Sequence, residues 1–149
     1  MKKDTMMFSR LRASALRRWL RMSARRPVRD LSDYQKTLDA RTALVLEEWV
    51  RQRGYCRPDM SMEAVAEELE LSKEQLSYYC RVVLGEGFLT WRQGLRIAEA
   101  RRLLLQHPDM SLQTVSERVG IMDKTNFRRQ FYEVCGCYPA EWLERNGTR

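Results

Sequence analysis

Lys124, Thr125, Asn126, Arg128 and Arg129 are side chains able to meet phosphates and base edges. Arginine presents two donors that match guanine O6 and N7, and asparagine can pair with the adenine edge. A lysine near a helix start suits a phosphate or a base edge. Phe127, Phe131 and Val134 recur at i, i+4 and i+7 and define an apolar stripe. Rotation of about 100° per residue sets Thr125, Arg129 and Tyr132 opposite that stripe, flanked by Asn126 and Arg128. The competing interpretation of two adjacent arginines is a solvated face without a ligand.

Short elements must position these residues. Ser111 is placed to cap a helix whose Leu112, Val115 and Val119 run into Gly120, and a second helix opens at Asp123. Two short helices joined by a glycine-containing turn are the signature of a helix-turn-helix, here spanning 111–135. A similar unit spans 61–84. Ser61 caps its first helix, with Met62, Val65, Ala66 and Leu69 on the buried face, and Ser72 caps its second. Leu76, Tyr79, Cys80 and Val83 form the inward side of that second helix, while Glu74, Tyr78 and Arg81 face outward with Gln75 and Ser77 at the edges. Candidate nucleic-acid contacts in this unit are Ser72, Lys73, Gln75, Ser77, Tyr78 and Arg81. Glu63, Glu67, Glu68 and Glu70 make the unit acidic, which opposes phosphate binding and marks it as the weaker reader. Glu70 also stands where a turn glycine would be easier.

Between the units, residues 88–106 form the longest helical pattern, nineteen residues or about 28 Å. Phe88, Trp91, Leu95 and Ala98 make one stripe and Ile97, Ala100 and Leu104 a rotated second. The spacing predicts a strut buried on two sides. Upstream, Ala43, Leu46, Trp49 and Val50 mark a helix ended by Gly54 and Pro58, and residues 30–41 read as a connector. Residues 5–22 carry Phe8, Leu11, Ala15, Trp19 and Met22 at helical spacing with arginines on the other face. That segment fits a membrane-surface helix, a phosphate-binding arm or a basic tail that orders only against a partner.

The net charge of +7 is uneven: residues 1–29 hold ten basic side chains against Asp4 alone, or +9, leaving −2 for residues 30–149. The basic balance belongs to the N-terminal segment and does not itself argue for nucleic-acid binding by the remainder. Few glycines and prolines in a Leu-, Ala- and Arg-rich chain point to an all-α fold. No apolar run nears the roughly 18 residues of a membrane span, and no secretory signal pattern is evident, so a cytoplasmic location is expected. Cys135 and Cys137 with the single His107 do not assemble a four-ligand zinc site, so no metal is expected. No nucleophile–base arrangement or phosphate-cradling glycine loop is present, so neither catalysis nor a cofactor is expected.

Residues 41–146 resemble the DNA-binding domain of the AraC/XylS family of transcription regulators. The resemblance is carried by Leu95-Arg96-Ile97-Ala98-Glu99-Ala100-Arg101-Arg102-Leu103-Leu104 and by Gly120-Ile121-Met122-Asp123-Lys124-Thr125-Asn126-Phe127-Arg128-Arg129-Gln130-Phe131, followed by Gly136 and Pro139. It implies an all-α module of about seven helices over residues 42–146, with two helix-turn-helix subdomains joined by a long linker helix. Each subdomain would offer a recognition helix to adjacent major-groove segments of double-stranded DNA, about 34 Å or 10–10.5 bp apart. RNA polymerase is a candidate partner, and the basic segment 1–29 a contact for DNA phosphates or an anionic membrane surface. The stretch ahead of the domain is too short for the family's larger ligand-sensing domain, so no small-molecule effector domain is expected. Departures include Tyr78 and Cys80 in place of an arginine and an aromatic in the first recognition helix, Ile121 for an aromatic, Tyr132 for a lysine and Tyr138 for a threonine. They leave open an alternative in which the first lobe has lost DNA reading and the module works through a protein partner or a membrane-proximal assembly, using Tyr78, Tyr79 and Tyr132.

Overall fold

The computed structural model describes residues 31–147. The amphipathic pattern of residues 5–22, and the whole of 1–29, lie outside the described residues. Seven α-helices and no strand are present among those described: α1 (Leu31–Arg51), α2 (Met62–Glu68), α3 (Lys73–Tyr78), α4 (Phe88–Gln106), α5 (Leu112–Arg118), α6 (Lys124–Cys135) and α7 (Pro139–Asn146). The expected all-α class holds.

Helix α1 corrects one expectation, because it begins at Leu31, inside the stretch read as a connector. Its first turns are polar, so no apolar stripe announces them. Local pairs support them instead: Lys36 with Asp33 at 3.3 Å and Gln35 with Asp39 at 2.8 Å. Asp33 in the first turn and Arg51 in the last also suit the helix dipole.

The chain folds around two cores. The first gathers Leu46, Trp49, Tyr55, Val65, Leu76, Cys80, Phe88, Trp91 and Leu95, with Trp49 stacked on Trp91 at a centroid distance of 6.0 Å. The second gathers Ile97, Ala100, Leu103, Leu104, Val115, Val119, Phe127, Phe131 and Trp142. Helix α4 therefore serves both, through Phe88, Trp91 and Leu95 at its start and Ile97 to Leu104 further along, as its two stripes require. Complete burial of a Leu- or Phe-sized side chain contributes about 1.5–3 kcal/mol, so each core specifies the placement of the helices around it.

The lobes also touch directly. The Arg96 guanidinium donates to the carbonyls of Tyr55 at 2.5 Å and Arg57 at 2.8 Å, reaching the 3-10 turn Gly54–Cys56. Burial holds Arg96 below the usual guanidinium range, at about 10. Glu99, buried beside it, binds Arg53 at 3.2 Å and Arg102 at 2.6 Å. Gly120 has φ +82°, and a Cβ there would lie 2.3 Å from the Cys56 carbonyl oxygen. The turn of the second lobe thus abuts the backbone of the first.

A candidate nucleic-acid interface on the two outer helices

Both helix-turn-helix units are built by the same local rules. Ser61 and Ser111 accept hydrogen bonds from the backbone N–H of Ala64 and Thr114, each at 3.1 Å, and open α2 and α5. The turns then cross through left-handed residues, Glu70 at φ 55° and Gly120 at φ 82°. Leu71 N–H donates to Ala66 at 2.9 Å, and Ile121 N–H to Ser116 at 3.0 Å. Ser72 caps α3 through the N–H of Gln75 at 3.0 Å, and Asp123 caps α6 through that of Asn126 at 2.6 Å. Leu76 and Cys80 then enter one core and Phe127 and Phe131 the other, all fully buried.

Two expectations about these helices need revision. Val134 is exposed, because the buried stripe of α6 continues from Phe131 toward the half-buried Cys135. The helix α3, expected to run unbroken to Leu84, widens into a π-helical segment at Tyr79–Leu84. Tyr79 and Cys80 both face the core, as their i+3 and i+4 spacing from Leu76 places them. Burial raises their pKa values to about 12. Tyr79 is therefore unavailable as the surface aromatic that the protein-partner alternative would use.

On α6 the structure brings Lys124, Thr125, Arg128, Arg129 and Tyr132 to the exposed side, with Asn126 half-buried among them. Arg129 does not project alone. It donates to Asn126 Oδ1 at 2.7 Å and, through its other terminal nitrogen, to Glu133 Oε1. Gln93 of α4 donates to the second Glu133 oxygen at 2.8 Å. The Gln93 hydrogen bond, with Arg129 adding to it, holds the Glu133 carboxyl below the usual carboxylate range. Arg128 lies 5.4 Å over the ring of Tyr138, which packs against Tyr132 at 4.9 Å.

On α3 and the π-helical segment that follows it the picture differs. Tyr78 and Arg81 are exposed, while Ser77 is half-buried. Lys73 is bound to Glu63 at 2.5 Å, which raises the lysine pKa and lowers that of the carboxylate. Gln75 is turned away from the outer face: its amide lies 3.2 Å from the Thr42 hydroxyl and 3.5 Å from the Asp39 carboxylate on α1. It acts as a packing contact, a role its position in sequence does not reveal.

Contacts of these side chains that sequence reasoning missed are those of Arg128 with Tyr138, Arg129 with Glu133 and Glu133 with Gln93. The Arg129–Glu133 spacing of i, i+4 was a legible signal; Gln93, forty positions away, gave none. Among the described residues no group of His, Cys, Asp or Glu is arranged to hold a metal ion, and Cys137 is buried in the second core.

A family model described as a helix-turn-helix domain matches residues 65–145. The chain belongs to the AraC-type helix-turn-helix family. Within this family, the chain is 36% identical over 84 residues to the arabinose operon regulatory protein of Escherichia coli (strain K12), and 38% identical over 79 residues to that of Salmonella typhimurium (strain LT2). These matches cover 56% and 53% of this chain but 28% of each relative, so the chain spans well under half of either. Among solved structures, the C-terminal domain of AraT, a response regulator from Geobacillus stearothermophilus, shares the AraC-type fold. Its TM-score is 0.63 at 24% identity, over 70% of this chain and 87% of that one.

Proposed function

We propose that the protein is a sequence-specific DNA-binding transcription regulator that presents α3 and α6 to adjacent major-groove segments of duplex DNA. The observation that carries this reading is the two-sided character of α6. Phe127 and Phe131 lock one side into the core, while Lys124, Thr125, Arg128 and Arg129 stand exposed on the remainder. A helix fixed in this way presents its donors to base edges with little freedom to lose. The arabinose operon regulators matched by the chain, and their family, are consistent with this role.

In this account α6 is the principal reader and α3 the weaker one. Lys73 must leave Glu63 before it can meet a phosphate, and Glu67, Glu70 and Glu74 are exposed on the same lobe. Residues 1–29 add sequence-independent phosphate contacts, with an anionic membrane surface as the competing partner. Deleting them flattens the salt dependence of DNA binding in the first case. An unchanged slope, with vesicle co-sedimentation lost on deletion, assigns them to the membrane. RNA polymerase is the protein partner to test, the site of action is cytoplasmic, and the activity is binding without catalysis.

Selection of bound sequences from a random duplex library tests the proposal. An enriched motif is expected, and recovery of unenriched sequence overturns it.

A further inference from the structure

The hydrogen-bond chain that ends on Arg129 has more structure than a solvated face requires. It starts on the linker helix at Gln93, passes both oxygens of Glu133, enters one terminal nitrogen of Arg129 and leaves from the other to Asn126 Oδ1. Arg129 and Glu133 are both well exposed, with side-chain exposures of 61% and 47%, so the pair adds little to folding stability. Its consequence is orientation. A free arginine samples many rotamers, whereas this one is tied at both ends of its guanidinium.

The chain also determines which groups remain for a ligand. Asn126 spends one of the two lone pairs of its oxygen on Arg129, and the two N–H donors of its amide remain, so donors outnumber acceptors on the pair. Arg129 keeps three of its five N–H donors. An adenine edge shows an N7 acceptor beside an N6 donor, and a bidentate asparagine contact to it must share the oxygen that already accepts from Arg129. A guanine edge shows two acceptors, O6 and N7, and matches a surface made of donors.

We propose that Gln93 and Glu133 are positioning residues that hold Arg129 and Asn126 as one donor-presenting unit, and that this unit selects guanine over adenine at its base step. The inference rests on the DNA-binding reading and deepens it by assigning a base preference. Glu133, as the acceptor that orients Arg129, contributes to specificity although its charge opposes phosphates.

Two measurements on the whole chain test this, one without DNA. In the free protein, nitrogen-15 NMR should show slowed rotation of the Arg129 guanidinium relative to that of Arg81, with the restraint lost in Glu133→Gln and weakened in Gln93→Met. An Arg129 signal as mobile as that of Arg81 overturns the proposal whatever the protein binds. On the motif selected by the wild-type protein, Glu133→Gln should reduce guanine-over-adenine preference at one position about 3- to 10-fold, the scale expected when one side chain must be ordered on binding. The same change made in an Arg129→Ala background should have no further effect. A preference loss that persists in that background makes Glu133 a direct base reader and overturns the positioning role. An equal shift in affinity for all sequences makes it a repelling charge and also overturns it. Absence of any wild-type motif defeats the DNA-binding reading and with it the base preference, while the guanidinium measurement still decides whether the relay exists.

Discussion

Replacing Gly120 by alanine tests how the two lobes are joined. At φ +82° a Cβ is strained by about 1–2 kcal/mol in any surroundings. Here it would also lie 2.3 Å from the Cys56 carbonyl oxygen, 2.8 Å from the carbonyl carbon and 3.2 Å from the Arg96 guanidinium. Two of those atoms are backbone, so relief requires the 3-10 turn to retreat and to loosen the Arg96 hydrogen bonds. Overpacking of this kind adds about 1–3 kcal/mol. The sum is about 2–5 kcal/mol. Gly136→Ala supplies the control, because Gly136 has φ +73° with nothing within 4 Å of its Cβ position. It should lose only the strain, about 1–2 kcal/mol. Urea unfolding followed by far-UV circular dichroism measures both, and each kcal/mol corresponds to about 4 °C in Tm for a domain of this size. If Gly120→Ala costs no more than Gly136→Ala, the close contact between the lobes does not constrain the turn and the reasoning fails.

Arg129→Ala should weaken binding to the selected duplex by ~1–3 kcal/mol while changing affinity for a scrambled duplex much less, as fluorescence anisotropy would show. Equal losses on both would reduce Arg129 to a phosphate contact. Arg96→Met removes the partner of the Tyr55 and Arg57 carbonyls and should cost about 2–6 kcal/mol in urea unfolding; an unchanged midpoint refutes its bridging role. Burial raises Cys56 from 9.0 to about 11, Cys80 from 9.0 to about 12 and Tyr79 from 10.0 to about 12. These groups favour the fold while neutral, so their contribution is complete below pH 9 and declines as pH rises through 9 to 12. The urea midpoint should be flat between pH 6 and 8 and fall between pH 9 and 11, and a midpoint that stays constant contradicts the burial of these groups.

The sequence carried the caps, the linker helix and most of both cores because each rests on local spacing. Ser61, Ser72, Ser111 and Asp123 all cap where the pattern places them. The first half of α1 carries no such signal, because polar pairs rather than an apolar stripe support it. Glu70 is awkward in its turn by residue type alone, and its φ of 55° gives the physical reason. Why a glycine occupies the equivalent turn at 120 was not legible, since the Cys56 carbonyl that excludes a side chain lies 64 positions away. Candidate contacts sort in the same way. Helical rotation placed Arg129 and Tyr78 on outer faces, but it could not show Gln75 turning toward Thr42 or Gln93 reaching Glu133. Those contacts join different elements, and only the packed fold brings them together.

The most direct test of the central claim is the ratio of dissociation constants for the selected duplex and a base-scrambled duplex, at one fixed salt concentration near 0.15 M. A sequence-specific regulator should prefer the selected duplex by a factor on the order of 10³ or more. Equal affinity for the two would contradict sequence-specific reading by α3 and α6.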